Sequence, residues 1–275
     1  MNTLRVMMIG DIVGEPGLAV LETQLPALIK DNSINFTVVN GENAAEGFGL
    51  TDAAYRRIVA AGADVVTSGN HVWEKRDFWP LLDSEDRMLR PANYPANNGA
   101  AITPGKGWAK VEMADGLSLV VINLQGREYM NPIDCPFRCF DSIFAAECSP
   151  KPIVLVDFHA ESTREKETFA YYLDGRASLV AGTHTHVQTA DERVLPQGTA
   201  YITDLGMTGI IDSVIGMEPQ VCLERATRQI MFRMVIAGAN DTPGKPNPKA
   251  VVQGIVADID CASGKALSIK RLPIC

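Results

Sequence analysis

The first quarter of the chain switches repeatedly between two hydrophobic periods. Residues 4–10 form a near-continuous apolar run of strand length, and residues 18–30 carry Leu21, Leu25, Leu28 and Ile29 at helical spacing. Residues 36–40 are β-branched and apolar, and residues 64–67 make another short buried-strand pattern. Between them, Thr51 and Asp52 have the character of a helix cap, predicting a helix to about Ala61. Strand and helix patterns alternating at this spacing predict βαβ units and a largely parallel sheet.

The pattern then changes. Residues 108–113 and 117–124 flank Asp115-Gly116, a strong hairpin signal. Residues 153–158 and 179–181 return to buried strands, with a helix predicted between them over 163–173. The last third reads as strands at 199–203, 229–236, 251–259 and 266–271, with Ser263-Gly264 as a turn in the final pair. A second sheet facing the first follows. Residues 241–249, with three prolines and one glycine, read as a long surface loop. No repeat or linker marks a boundary, so residues 1–275 are expected to form a single domain.

Composition narrows the function classes. With 46% apolar and 21% charged residues, the 275-residue chain is ordinary for a globular protein and unlike a disordered or collagenous one. A chain of this length buries roughly 75% of its unfolded surface without staples. Lys+Arg 25 against Asp+Glu 33 gives a net charge of −8 without a basic run, which argues against stable nucleic-acid binding. The apolar run after the N-terminus is too short for a signal-peptide core, and no stretch reaches the length of a membrane span. The six cysteines are irregularly spaced and read as reduced thiols, which points to the cytoplasm.

Chemistry-bearing residues cluster by position. His71, His159, His184 and His186 are the four histidines, and each falls at or just beyond the carboxyl end of a predicted strand, where open α/β sheets bind ligands. Asp11, Glu42, Asn43 and Asn70 occupy the same places after the earlier strands. Each alone has a bland reading as a turn residue or a satisfied core histidine. Gly10, Gly14 and Gly17 match neither the dinucleotide nor the P-loop spacing. His184-Thr185-His186 carries more weight, because imidazoles at i and i+2 of an extended chain point the same way.

Asp11, Glu42, Asn43, Asn70, His159, His184 and His186 are too many ligands for one tetrahedral ion, so two ions are expected, with Glu42 bridging. Oxygen and nitrogen donors without thiolate suit Fe, Mn, Zn or Co above Ca or Mg. Two divalent ions against two carboxylates leave positive charge suited to a small anionic phosphoester.

Gly10-Asp11, Gly69-Asn70-His71 and Gly182-Thr183-His184-Thr185-His186 resemble the motifs of calcineurin-like metallophosphoesterases. The run from Asn40-Gly41-Glu42-Asn43 to Ala45, the stretch from Tyr201-Ile202-Thr203-Asp204-Leu205-Gly206 to Gly209, and Ser213-Val214-Ile215-Gly216 resemble a bacterial subfamily acting on 2′,3′-cyclic nucleotides. The resemblance spans nearly the whole chain. It implies an αββα sandwich of two facing mixed sheets flanked by helices. It also implies two metal ions, Fe or Mn ahead of Zn or Co: one on Asp11, Glu42, Asn43 and His186, the other on Glu42, Asn70, His159 and His184. A metal-bridged hydroxide would attack the phosphodiester, with His71 as the general acid. Val13 stands where the wider superfamily has a histidine, and Glu42 where it has an aspartate.

Two other functions stay open at this point: metal-dependent amide or ester hydrolysis, and a regulatory protein that keeps the metal site. So does homo-oligomerisation. Glu46-Gly47-Phe48-Gly49 reads equally as a lid or a surface loop, and Arg127 and Tyr129 as solvated loop residues. Cys135, Cys139 and Cys148 lack the fourth ligand of a metal site.

Overall fold

The computed structural model describes residues 2–95, 103–114, 116–148, 153–238 and 249–273. In chain order its strands are β1 (Thr3–Ile9), β2 (Asp11–Ile12), β3 (Phe36–Asn40), β4 (Val65–Thr67), β5 (Trp108–Glu112), β6 (Ser118–Gln125) and β7 (Ile153–His159), followed by β8 (Leu179–Thr183), β9 (Arg193–Val194), β10 (Ala200–Ile202), β11 (Met207–Ile210), β12 (Ala250–Val251), β13 (Gly254–Asp260) and β14 (Ala266–Arg271). The helices are α1 (Gly14–Asp31), α2 (Asp52–Ala61), α3 (Trp79–Ser84), α4 (Pro136–Glu147), α5 (Thr163–Leu173) and α6 (Pro219–Arg228).

Alternation along the strands builds the layers. Val6, Met8 and Val38 face Val121, Leu155 and Leu179 in a core between two sheets. Their strand neighbours Met7, Ile9 and Val39 point the other way, onto Leu21 and Leu25 of α1 and Ile58 of α2. Val120, Val154 and Val156 likewise meet Phe140 of α4 and Phe169 of α5. Helix, sheet, sheet, helix is the result, as the resemblance implied. One sheet has the order β14-β13-β1-β3-β4 and the other β5-β6-β7-β8-β10-β9, and a small ribbon runs β12-β11-β2. Both large sheets are mixed: β1-β3-β4 and β6-β7-β8-β10 are parallel, with antiparallel strands at their flanks.

Several expectations need correction. The strand expected at 229–236 is absent; Ile236 makes one isolated bridge to Met217, while Ile230 and Met231 are exposed. An apolar run becomes a strand only where a neighbouring edge offers it a ladder. The strand expected at 251–259 is split, with β12 joining the ribbon and β13 the first sheet. Helix α1 begins at Gly14, four residues before its apolar periodicity, since Pro16 is tolerated in a first turn. Asp115 and residues 241–248 lie outside the described residues, although β5 and β6 do pair antiparallel.

Candidate metal centre

Strand register sets the level of the site. Gln125, His159 and Thr183 lie side by side at the carboxyl ends of β6, β7 and β8. Asn40 and Thr67 end β3 and β4 in the other sheet, just before Glu42 and Asn70.

His159 is fully buried, and its Nε2 lies 3.1 Å from Glu42 Oε1, 3.0 Å from Asn70 Oδ1 and 3.0 Å from His184 Nδ1. Its Nδ1 is 2.9 Å from Thr183 Oγ1, and that hydroxyl donates its one proton to Asp157 Oδ1 at 2.7 Å. The threonine oxygen must therefore accept from Nδ1, which leaves a lone pair on Nε2 in the neutral ring. His184 is arranged in the same way: Nε2 lies 3.0 Å from Glu161 Oε2, so Nδ1 turns its lone pair inward. Four acceptor atoms thus converge with no donor among them, an arrangement stable only around a positive charge. A proton on His159 can serve in place of a cation: burial disfavours it, while Glu42 raises the ring above its ordinary value. Burial would raise the Glu42 carboxyl, but His159 outweighs it and holds the group below the usual carboxylate range. His184 is depressed to about 3 by burial and then by His159, so its ring is neutral.

A second group adjoins the first. His186 Nδ1 donates to Ile215 O at 2.8 Å, so in the neutral ring Nε2 faces Asp11 Oδ2 at 3.2 Å with its lone pair. The Asn43 amide lies 3.1 Å from that same Nε2 and 3.1 Å from Glu42 Oε1, which sets Glu42 between the two groups. Asp11 Oδ1 and Asn43 Oδ1 are buried without a partner among the described residues. Burial lowers His186, yet Asp11 carries it up to about 9, so this pocket too favours positive charge.

A side chain at position 69 would end this arrangement. A Cβ on Gly69 would collide with Glu42 Oε2 and the His159 ring, so the glycine keeps the cradle open. Glu42, His159 and His184 meet the spacing of a metal site, and the carboxylate, amide and imidazole donors suit a first-row transition ion. The residues present fit a divalent cation.

The His-x-His geometry differs from the expectation. His184 (φ +103°) and His186 (φ +65°) follow the end of β8 in left-handed backbone, and their rings diverge, one to each group. Non-glycine residues hold such angles only when their surroundings dictate them. Here Asp204 dictates them: Oδ2 accepts from Thr185 N between the two histidines at 3.1 Å and from Lys166 Nζ at 2.7 Å, and Oδ1 accepts from Gly206 N at 2.9 Å. Gly206 O in turn accepts from Asp11 N. Asp204 and Lys166 are buried and were not among the expected site residues; the signal was Asp204 inside the quoted stretch from Tyr201 to Gly209. Asp157 was missed as well. It takes hydrogen bonds from Thr67, Asn40 and Thr183, and burial pushes its carboxyl up to about 6.

His71 sits at the rim. Its main-chain N donates to Glu42 Oε2 at 3.3 Å, and its ring meets Phe48 edge-on at 5.0 Å, with Nδ1 3.5 Å from Glu74 Oε1. Trp73 packs on Trp79 and Tyr94. Tyr129 is exposed, and Arg127 N donates to Glu165. Among the described residues no cysteine joins a group spaced to hold a metal.

The profile of the YmdB-like protein family matches residues 7–272. The chain belongs to that family. It is 43% identical to a Bacillus subtilis protein named 2′,3′-cyclic-nucleotide 2′-phosphodiesterase, over 98% of this chain and 97% of that one. Among solved structures, a hypothetical protein from Thermus thermophilus superposes with TM-score 0.86 at 40% identity, covering 98% of each chain. A protein described as a novel phosphatase from Mycoplasma pneumoniae superposes with TM-score 0.89 at 27% identity, over 100% of this chain and 94% of that one. Membership of the YmdB-like family agrees with the metallophosphoesterase resemblance read from the motifs. No helix of the described residues is long and apolar enough to cross a membrane.

Proposed function

We propose that the chain is a dinuclear metal-dependent phosphodiesterase acting on 2′,3′-cyclic nucleotides, with residues 1–275 as one metallophosphoesterase domain. The observation that carries the reading is the inward convergence of acceptor atoms from Glu42, Asn70, His159 and His184 beside the orphaned oxygens of Asp11 and Asn43. The name of the Bacillus subtilis relative supports the substrate class. Asp11, Glu42, Asn43 and His186 would hold one ion, and Glu42, Asn70, His159 and His184 the other, with Fe or Mn favoured.

Ions bound there supply Lewis acidity toward the phosphoryl oxygens and make water nucleophilic near neutral pH. The chain's own residues do the rest. Hydrogen bonds from His159 to Thr183, from His184 to Glu161 and from His186 to Ile215 fix which nitrogen of each ring faces inward. His71 is tied to Glu42 through its main-chain N–H, which keeps its imidazole at the rim. There it donates a proton to the departing ribose oxygen, a poor leaving group that needs one. Phe48 against one side of that ring limits its rotation. The irregular spacing of the six cysteines favours a reducing cytoplasmic setting.

The test combines metal analysis with side-by-side kinetics on the purified holoenzyme. Two ions per chain and faster turnover of 2′,3′-cyclic nucleotides than of monoesters are expected, and Glu42→Ala is expected to deplete both ions. Full two-ion occupancy in Glu42→Ala would remove the bridging role. A preference for monoesters would overturn the substrate class.

A further inference from the structure

A cavity of about 730 Å³ lies on the outer face of the second sheet, between its edge strand β5 and helix α4. It shares no lining residue with the metal centre. Arg87, Arg90, Lys106 and Lys110 line it against one acid, Asp86, in a chain whose net charge is −8. β5 pairs Lys110 with Val120, five positions from Gln125, the β6 residue level with His159, so Lys110 is set back roughly 16 Å along the strands.

Arg90 is the unusual member. It is only 8% exposed. Its Nε donates to Pro104 O at 3.1 Å, and its Nη1 to Pro91 O at 2.8 Å and Ala92 O at 3.4 Å. Among the described residues no carboxylate pairs with it. Asp83 acts on its charge only through space, without an ion pair. Asp86 is engaged by Lys106 at 2.5 Å, and Asp83 accepts from Gly105 N at 2.7 Å. Cys139 on the same wall remains a neutral thiol, pushed up to about 11 by burial. A buried cation without a counter-charge is strongly unfavourable in an apolar surrounding, which is why such groups pair with an anion. Burial accordingly presses the Arg90 guanidinium below its ordinary value.

The wall chemistry says which anion. Arg87 and Lys110 are exposed at the cavity's edge, and neither enters an ion pair among the described residues. Trp108 and Lys110 share one face of β5, while Ala109 and Val111 turn into the core between the sheets. Planar guanidinium donors beside an ammonium match the oxygens of a phosphate group in charge and geometry.

We propose that this cavity is a second anion site, separate from the metal centre, which takes a small multiply charged phosphate compound on Arg90, Arg87 and Lys110. The probe is inorganic pyrophosphate, and the readout is amide hydrogen exchange of the holoenzyme, which locates binding along the chain. Pyrophosphate is expected to protect residues 87–92 and 105–110. In the double variant Arg87→Ser, Lys110→Ser, both at exposed positions, the pyrophosphate concentration for half-protection should rise at least tenfold. Turnover of a nitrophenyl phosphodiester without pyrophosphate should stay unchanged. Protection confined to the metal-centre loops would overturn the proposal. So would protection of 87–92 that survives the double variant, or equal protection by sodium chloride of matched ionic strength.

Discussion

Each histidine of the centre has one ring nitrogen committed to a group outside it, and His71 alone has its ring at the rim, tied to the centre by its main chain. His71→Ala should therefore keep metal content and fold yet lose ~10²–10⁴-fold in turnover of a ribose cyclic phosphate. With a nitrophenyl diester, whose leaving group departs as a stabilised anion, the loss should shrink sharply. Equal losses on both substrates with metals retained would contradict the acid role. The buried Lys166–Asp204 pair is the second test at this scale. Lys166→Met leaves Asp204 charged and buried, and urea unfolding should show a loss of about 3–5 kcal/mol. A loss below about 1 kcal/mol would mean that Asp204 is held by its two backbone N–H groups without the ammonium. The residues that gather at the centre were legible because Asp, Glu, Asn and His recur just after apolar runs. Thr183, Asp157, Glu161 and Asp204 were not, because their work depends on partners up to 117 positions away, such as Asn40 on Asp157. The opposite aim of the His184 and His186 rings was also hidden, since spacing reports direction only where the backbone is extended.

The strands and helices that the pattern specified best are those with a cap as well as a period. α2 and α5 begin where Thr51 and Ser162 accept from the main-chain N–H three residues on. α4 carried the period in Phe140, Ile143 and Phe144 but starts at a proline after a cysteine, which offers no side-chain cap. α6 buries none of its residues, so no apolar stripe against a core announced it. The edge of the second sheet supplies a pH test. Burial alone would raise Asp191, yet hydroxyl donors from Thr189 and Thr203, the Thr203 N–H and then Arg193 hold it below its ordinary value. A folded-state value below the unfolded one adds stability above the ordinary carboxylate range, and this is lost as pH falls through the folded value. Asp191→Asn should therefore lower the melting temperature at pH 7 and flatten its decline in acid. Parallel wild-type and variant profiles down to pH 3 would contradict the assignment.

On the scale of the molecule, the two sheets hold the centre between them: Glu42 and Asn70 come from loops of the first, His159 and His184 from the second, and Asp11 from the ribbon strand β2 beside them. A cation bound there joins the layers, so chelation should lower the unfolding temperature of the holoenzyme, and Mn(II) at 100 times its Kd should restore about 2.7 kcal/mol for each site it fills. An unfolding temperature unmoved by chelator, with metal shown to be gone, would argue against that link. The layered architecture was legible from the change of period along the chain, but sheet membership was not. Which edge a late strand joins is decided by the edge left open, and β13 goes back to β1 across the whole sequence, pairing Thr3 with Asp260. That closure has a consequence for synthesis on the ribosome. β1 emerges long before its partner β13, so one flank of the first sheet stays unzipped while the elements between them are made. Non-local pairing of this kind is slow and exposes apolar edges while it waits. The nascent chain therefore needs chaperone protection along β1 until β13 arrives.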